Sequence, residues 1–175
     1  MISLCPPCLC VPFFSLTKYT YFSHAFKTPL IEKSFTRKDI SSRVRSYNVL
    51  LVDDFEPFRR VVREMLEERN DFRISVAADG LEAVRQAQKL QPDLVLLDIG
   101  LPKLNGIQAA VRIQEISPNS KILFCTQESS AEVVREALRL GAHGYLLKSD
   151  AAEELLPAMD QVLEGRRFVS RRLKL

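Results

Sequence analysis

Short apolar runs alternate, along most of the chain, with longer segments in which apolar residues recur every three or four positions. An unbroken apolar run is typical of a strand buried on both faces, and the longer spacing is typical of an amphipathic helix. The pattern therefore predicts five strand–helix pairs after position 46, with strands at 48–52, 72–77, 93–97, 121–125 and 144–148 and helices at 55–69, 81–90, 106–116, 130–140 and 151–165.

Regular strand–helix alternation predicts a parallel sheet, because parallel strands need crossover connections and helices usually supply them. We predict an α/β fold in which a doubly wound, five-stranded parallel sheet has the order 2-1-3-4-5 and carries helices on both faces. Pro157 departs from this pattern, since it lies inside the last predicted helix and should kink that helix or shift its first turns.

Residues 1–46 show neither period and are interrupted by four prolines. They contain seven Lys and Arg against two Asp and Glu, whereas 47–175 contain 18 against 20, so the net charge of +3 comes from this stretch. We predict a disordered basic extension over 1–46, one domain over 47–168 and a linker remnant over 169–175. The extension is alternatively a start-site artefact, since a non-Met start at Val44 would begin the protein just before the first strand.

The composition of the N-terminal stretch argues against targeting and metal-binding roles. A membrane span needs about 20 apolar residues, which are absent, and no charged residue precedes the apolar opening as in a signal peptide. We therefore expect a cytoplasmic protein without membrane association. A zinc site of Cys5, Cys8, Cys10 and His24 is conceivable, but their spacing is poor, and reduced thiols in a flexible tail are the favoured interpretation.

Polar residues end four of the five predicted strands: Asp53 and Asp54 the first, Asp98 the third, Thr126 the fourth and Lys148 the fifth. In the order 2-1-3-4-5 these strands are neighbours, and their carboxyl ends border one cleft where ligands bind. Each residue alone also has an ordinary role as a helix cap, a turn residue or a solvated charge. The coincidence of four such ends favours a shared functional site.

Three carboxylates in one cleft repel one another unless a cation lies between them. Mg²⁺ suits oxygen ligands, and the absence of His and Cys among the candidate ligands argues against zinc. Lys148 adds a positive charge and Thr126 a hydroxyl donor, which together are suited to the oxygens of a phosphoryl group. Asp98 would then act as the nucleophile and form an aspartyl phosphate.

These residues resemble the receiver domain of two-component response regulators. The matching motifs, in the expected order over 48–168, are the acidic pair of VDD, Asp98 in LLDIGLP, Gly106 in PKLNG, Thr126 in FCTQ, and Tyr145 with Lys148 in GYLLK. The segments GAHGYLLKSD and GRRFVSRRL are most similar to regulators that carry a C-terminal helix-turn-helix domain, for which the sequence after 168 is too short. The resemblance implies a flavodoxin-like fold.

The resemblance further implies that a sensor histidine kinase or a phosphotransfer protein donates a phosphoryl group to Asp98, so that the chain is a phosphoacceptor and not an enzyme. It implies Mg²⁺ ligands at Asp54, Asp98 and the backbone carbonyl of Gly100, with Asp53 acting directly or through water. Thr126 and Lys148 would hold the phosphoryl oxygens.

The resemblance also implies a switch. Movement of Thr126 would let Tyr145 turn inward and remodel the face of the fourth helix, fifth strand and fifth helix, where a downstream protein or a second copy of the chain would bind. Ordinary packing at a strand end is the alternative role for Tyr145.

Three positions depart from the family pattern. Ser149 stands where many receivers have proline, and Gln127 stands where a small residue is usual. Gly100 offers no side chain to position attacking water, so the sequence leaves the lifetime of the phosphoryl group open.

Other function classes fit less well. A truncated DNA-binding regulator would lack its recognition helix, since RRFVSRRLKL is too short to form one, and no direct nucleic-acid binding is expected. A Mg²⁺-dependent phosphatase of the haloacid dehalogenase kind would need a D-x-D nucleophile on the first strand, where this chain has an adjacent pair. Nucleotide binding would need a glycine-rich loop after that strand.

Overall fold

The structure is a computed structural model, and it describes residues 46–173. Residues 1–45 of the predicted basic extension lie outside the described residues, and with them its alternative start at Val44 and the group of Cys5, Cys8, Cys10 and His24. The elements follow in the order β1 (Tyr47–Val52), α1 (Glu56–Glu67), β2 (Phe72–Ala77), α2 (Gly80–Leu90), β3 (Leu94–Leu97), α3 (Gly106–Ile116), β4 (Lys121–Thr126), α4 (Ala131–Arg139), β5 (Gly144–Leu147), a 3₁₀ turn (Lys148–Asp150), α5 (Ala151–Leu163) and β6 (Phe168–Val169).

The six strands form one sheet in the order β2-β1-β3-β4-β5-β6, and every pair is parallel. The predicted doubly wound fold and the order of its first five strands are confirmed. The predicted strand number is wrong, because β6 adds a sixth strand beside β5. A strand of two residues shows no period in the sequence, so it was indistinguishable from the linker predicted to begin at 169.

The sheet has a hydrophobic core on each face, as a doubly wound fold requires. One cluster joins the sheet to α2, α3 and α4 and includes Phe124 and Tyr145. The other joins it to α1 and α5 and includes Leu66 and Met159. Since the central strands are buried on both faces, they read in the sequence as unbroken apolar runs.

The last helix tolerates its proline. α5 begins at Ala151 as predicted and is one helix through Pro157, whose missing N–H withdraws one helical hydrogen bond. Among the described residues, no helix is long and apolar enough to cross a bilayer.

The loop after β3 approaches α3 closely at Gly106, the first residue of that helix. The Gly106 N–H donates to the Ile99 carbonyl at 2.9 Å. A Cβ on Gly106 would lie 1.9 Å from the backbone oxygen of Asp98. Only glycine fits here without moving the backbone of Asp98, so this position helps to fix that residue at the end of β3.

We expect Gly106→Ala to lower the free energy of unfolding by about 3 kcal/mol, because the methyl group must displace backbone and not a flexible side chain. Urea denaturation measures this loss. The matched control is Gly100→Ala in the same loop, where an added Cβ meets its nearest atom at 3.9 Å and should cost about 0.5 kcal/mol or less. Equal effects of the two substitutions would contradict the steric explanation.

Candidate functional site

Three carboxylates meet at the carboxyl edge of the sheet. Asp53 follows β1 and Asp98 follows β3, and the pairing of Val52 with Leu97 brings these two strand ends side by side. One oxygen from each of Asp53, Asp54 and Asp98 lies within 4.8 Å of the other two. Asp53 and Asp98 are buried, whereas Asp54 is exposed. The acidic group predicted from the sequence is therefore assembled in the structure.

Lys148 lies between the two buried carboxylates. Its ammonium Nζ is 2.6 Å from Oδ2 of Asp53 and 2.6 Å from Oδ2 of Asp98. The sequence placed Lys148 in the fifth strand, but β5 ends at Leu147, and Lys148 begins the 3₁₀ turn that follows. Counted by formal charge, three carboxylates beside one ammonium leave an excess of two negative charges, which a divalent cation would neutralise.

Burial and pairing act in opposite directions on the ionisable groups of the site. Burial raises the pKa of Asp53 above its usual range, although hydrogen bonds from Lys148 and from the Phe55 N–H oppose that rise. Burial would lower the pKa of Lys148, but its hydrogen bonds and charge interactions with Asp53 and Asp98 outweigh burial, so its pKa is raised. The ammonium therefore stays charged near neutral pH.

The second oxygen of each buried carboxylate is held by backbone. Asp53 Oδ1 accepts from the Phe55 N–H at 2.9 Å, and Asp98 Oδ1 accepts from the N–H groups of Ile99 at 2.7 Å and Gly100 at 3.3 Å. Both side chains are thus fixed from two directions, which orients them before any ligand arrives.

Thr126 and Tyr145 are linked through one residue of the β4–α4 loop. The Glu128 N–H donates to Thr126 Oγ1 at 3.3 Å, and the Tyr145 hydroxyl donates to the Glu128 carbonyl at 2.9 Å. Tyr145 is fully buried, so its ring already lies inward in this structure. Thr126 is the last residue of β4, so the predicted polar end of the fourth strand is confirmed.

An open cavity of about 860 Å³ borders the site and contains most of the predicted residues in its lining. Asp54, Asp98, Gly100, Thr126 and Lys148 line it, together with the two unusual residues Gln127 and Ser149. Asp53 and Tyr145 are not among its lining residues. The roles assigned to these residues, including metal binding by the Gly100 carbonyl, stay predictions.

The sequence did not predict an apolar wall on the α1 side of this cavity, which is formed by Phe55, Pro57, Phe58 and Val61. The Phe58 ring centroid lies 4.9 Å from the Lys148 ammonium, a cation–π distance. Phe58 also packs, partly buried, against the core cluster of α1 and α5. Its position in the first turn after the VDD motif was the one available signal that it would also lie beside Lys148.

Comparison with known proteins places this architecture in a family. The family model described as the response regulator receiver domain matches residues 49–160. Over 116 residues, the chain is 39% identical to the chemotaxis protein CheY of Halobacterium salinarum, a match that covers 66% of this chain and 95% of that protein. Over 118 residues, it is 40% identical to a putative transcriptional regulator of Pseudomonas aeruginosa, with 67% and 56% covered.

The matched relatives differ in length. The chain spans little more than half of the Pseudomonas regulator and 58% of the Escherichia coli nitrate/nitrite response regulator NarL, to which it is 33% identical over 126 residues that cover 71% of this chain.

Solved structures agree with the sequence comparisons. A LuxR-family two-component response regulator from an Aurantimonas species superposes with a TM-score of 0.69 at 32% identity, covering 73% of this chain and 92% of that one. The response regulator domain of Thermotoga maritima CheB gives a TM-score of 0.64 at 32% identity, covering 69% and 98%. The chain belongs to the response regulator receiver domains of two-component systems.

Proposed function

We propose that this chain is a phosphoryl-accepting switch in a phosphorelay, in which a sensor histidine kinase or a phosphotransfer protein phosphorylates Asp98. The observation that carries the proposal is that the Lys148 ammonium forms ion pairs with both Asp53 and Asp98 at the edge of an open cavity. The arrangement presents a fixed carboxylate nucleophile beside a fixed positive charge. Membership of the receiver family supports the same reaction.

In the proposed reaction an oxygen of Asp98 attacks the phosphorus of a phosphohistidine. The new oxygen–phosphorus bond replaces the phosphorus–nitrogen bond, whose electron pair returns to the leaving imidazole nitrogen. Lys148 and Thr126 bind the oxygens of the transferred group, where negative charge accumulates. Attack by water on the acyl phosphate later restores the Asp98 carboxylate and releases phosphate, so the chain acts on its own side chain and is not an enzyme for a separate substrate.

The acidic group fits Mg²⁺ as the cofactor. Its donors are all carboxylate oxygens, and Asp54 is exposed at the cavity, so it is accessible to a hydrated ion. Asp53, Asp54, Asp98 and the Gly100 carbonyl would hold the ion. When bound, Mg²⁺ supplies positive charge that offsets the repulsion between the carboxylates and the incoming phosphoryl oxygens.

The output proposed for the switch is a change in the face formed by α4, β5 and α5. The chain of contacts from Thr126 through Glu128 to Tyr145 connects the phosphorylation site to that face. If Thr126 moved toward a phosphoryl group on Asp98, the Glu128 backbone that is bonded to Thr126 would shift with it. The hydrogen bond from the Tyr145 hydroxyl to the Glu128 carbonyl would then change. A downstream protein or a second copy of the chain would bind this face, in the cytoplasm and without direct nucleic-acid contact.

A second candidate is the receiver part of a DNA-binding transcriptional regulator. It is favoured by the match to the Pseudomonas putative transcriptional regulator, of which the chain spans 56%. In that case the α4–β5–α5 face would act on an output domain and not on a separate protein.

The first test is phosphorylation by acetyl phosphate with Mg²⁺, followed by intact mass measurement. We expect the mass of one phosphoryl group to be added to the wild-type chain and to be lost in Asp98→Asn. Asp93→Asn is the matched control, since Asp93 lies at the opposite end of the same strand and should leave the adduct intact. Steady phosphate release from p-nitrophenyl phosphate without an adduct would instead indicate a phosphatase.

Magnesium removal gives an independent test. Mg²⁺ at about 100 times its Kd should raise the free energy of unfolding by about 2.7 kcal/mol, since the folded chain alone presents the site. We expect Asp54→Asn to lose most of this gain, measured by thermal unfolding with and without EDTA. Glu67→Gln, on the exposed surface of α1, should keep it. An equal gain in the two variants would place the ion elsewhere.

The substitution Lys148→Met tests whether the Lys148 ammonium stabilises the buried carboxylates of Asp53 and Asp98. We expect the free energy of unfolding to fall by about 3 kcal/mol in urea, because Asp53 and Asp98 lose the charge that pairs them while they stay buried. The loss should shrink as the pH falls, since burial already raises the pKa of Asp53 and its protonation removes one unpaired charge. Lys89→Met, on the exposed surface of α2, should change stability by less than about 0.5 kcal/mol. A loss as small as this at Lys148 would contradict the pairing argument.

A further inference from the structure

The segment 168–173, here called the C-terminal strap, is bound along β5 by its backbone. Phe168 and Val169 pair with Gly144 and Tyr145. The next residue continues the attachment, because the Ser170 N–H donates to the Tyr145 carbonyl at 2.9 Å. The side chain of Ser170 is fully buried, and its Oγ accepts a hydrogen bond from the Leu147 N–H at 3.0 Å. The strap thus binds the backbone of the residue that directly precedes Lys148.

Charge pairs attach the strap to the turn and helix that follow Lys148. Arg172 Nε is 3.1 Å from Oδ1 of Asp150, and Arg171 Nε is 3.8 Å from Oε1 of Glu154. Asp150 is the last residue of the 3₁₀ turn that Lys148 begins. The strap therefore contacts the chain on both sides of Lys148, two residues or fewer away from it.

The two carboxylates of these pairs depend on the strap. Asp150 Oδ2 and Glu154 Oε2 are buried and have no hydrogen-bond partner among residues 46–173. A buried carboxylate is costly unless it is paired, and without Arg172 the one donor left to the Asp150 carboxylate in the described part of the chain would be the Ser149 hydroxyl. Arg172 itself is largely exposed, which makes the pair easy for a partner or a substitution to open.

A third contact joins the strap to the switch side of the sheet. Leu173 packs against the core cluster that contains Phe124 and Tyr145. Hydrogen bonds, ion pairs and apolar packing thus converge on the short stretch from Tyr145 to Asp150, with Lys148 in its middle.

We propose that the C-terminal strap controls the position of Lys148 and is coupled to phosphorylation of Asp98. This rests on the proposed function. A phosphoryl group adds a charge-assisted contact to Lys148 and so restrains the turn, which stabilises the strap bound to it. Coupling of this kind is reciprocal, so loosening the strap weakens binding at the Asp98 site by the same factor. A protein that displaces the strap from β5 would therefore weaken the phosphorylated state.

Hydrogen exchange tests the first direction of the coupling. We expect the amides of Leu147 and Ser170 to exchange about fivefold more slowly after treatment with acetyl phosphate and Mg²⁺. Intact mass on the same sample gives the fraction phosphorylated. An adduct with unchanged exchange at both amides overturns the coupling and leaves the proposed function standing, whereas absence of any adduct overturns the proposed function and the coupling with it.

Binding of beryllium fluoride, a phosphoryl analogue, tests the reverse direction by fluorine NMR titration in the presence of Mg²⁺. Ser170→Ala and Arg172→Gln should each weaken this binding about fivefold and speed exchange at Leu147. Arg166→Gln is the matched control, because within residues 46–173 the Arg166 side chain pairs only with the exposed Glu164, its neighbour two positions earlier. If Ser170→Ala does not fold, the beryllium fluoride affinity of Arg172→Gln alone tests the coupling. Affinity equal to that of the control overturns the coupling.

Discussion

The position of one ammonium group organises the functional end of this molecule. Lys148 offsets the repulsion between Asp53 and Asp98, two carboxylates that the sheet forces together and buries. Without that ammonium, their burial would cost several kcal/mol per charge or require a proton. The same contact aims Asp98 toward the cavity. Stability and proposed chemistry therefore depend on a single side chain, and residues that fix Lys148 influence both.

The rest of the structure is arranged to deliver these groups from distant parts of the chain. β1, β3, β4 and β5 are neighbours in the parallel sheet and end at one edge, and helices pack on both faces, so the polar groups at these strand ends lie beside an apolar core. Gly106 lets α3 begin against the backbone of Asp98. Phe58 adds a ring beside Lys148 from the opposite side. Asp53, Asp98 and Lys148 each directly follow a buried strand, so the core fixes where these charged groups lie.

Most of the fold and the positions of the charged site residues followed from the sequence, because buried parallel strands have a strong apolar signal and Asp53, Asp98 and Lys148 break it at their ends. The sequence did not predict β6, since a strand of two residues is too short to show an apolar period. The sequence also did not predict contacts between residues that are far apart in the chain, such as the contact of the Phe58 ring with the Lys148 ammonium. The inward ring of Tyr145 was expected only after phosphorylation, whereas packing already holds it there.

The separation of the site residues along the chain has a consequence for folding. The bond between Lys148 and Asp98 spans 50 positions, and the bond to Asp53 joins the first strand to the turn after the fifth. No local segment contains two of the three elements that hold these groups, so the closure entropy of long loops must be overcome before the site exists. A chain emerging from the ribosome therefore cannot assemble the proposed acceptor site until β5 has docked and has brought Lys148 to Asp53 and Asp98.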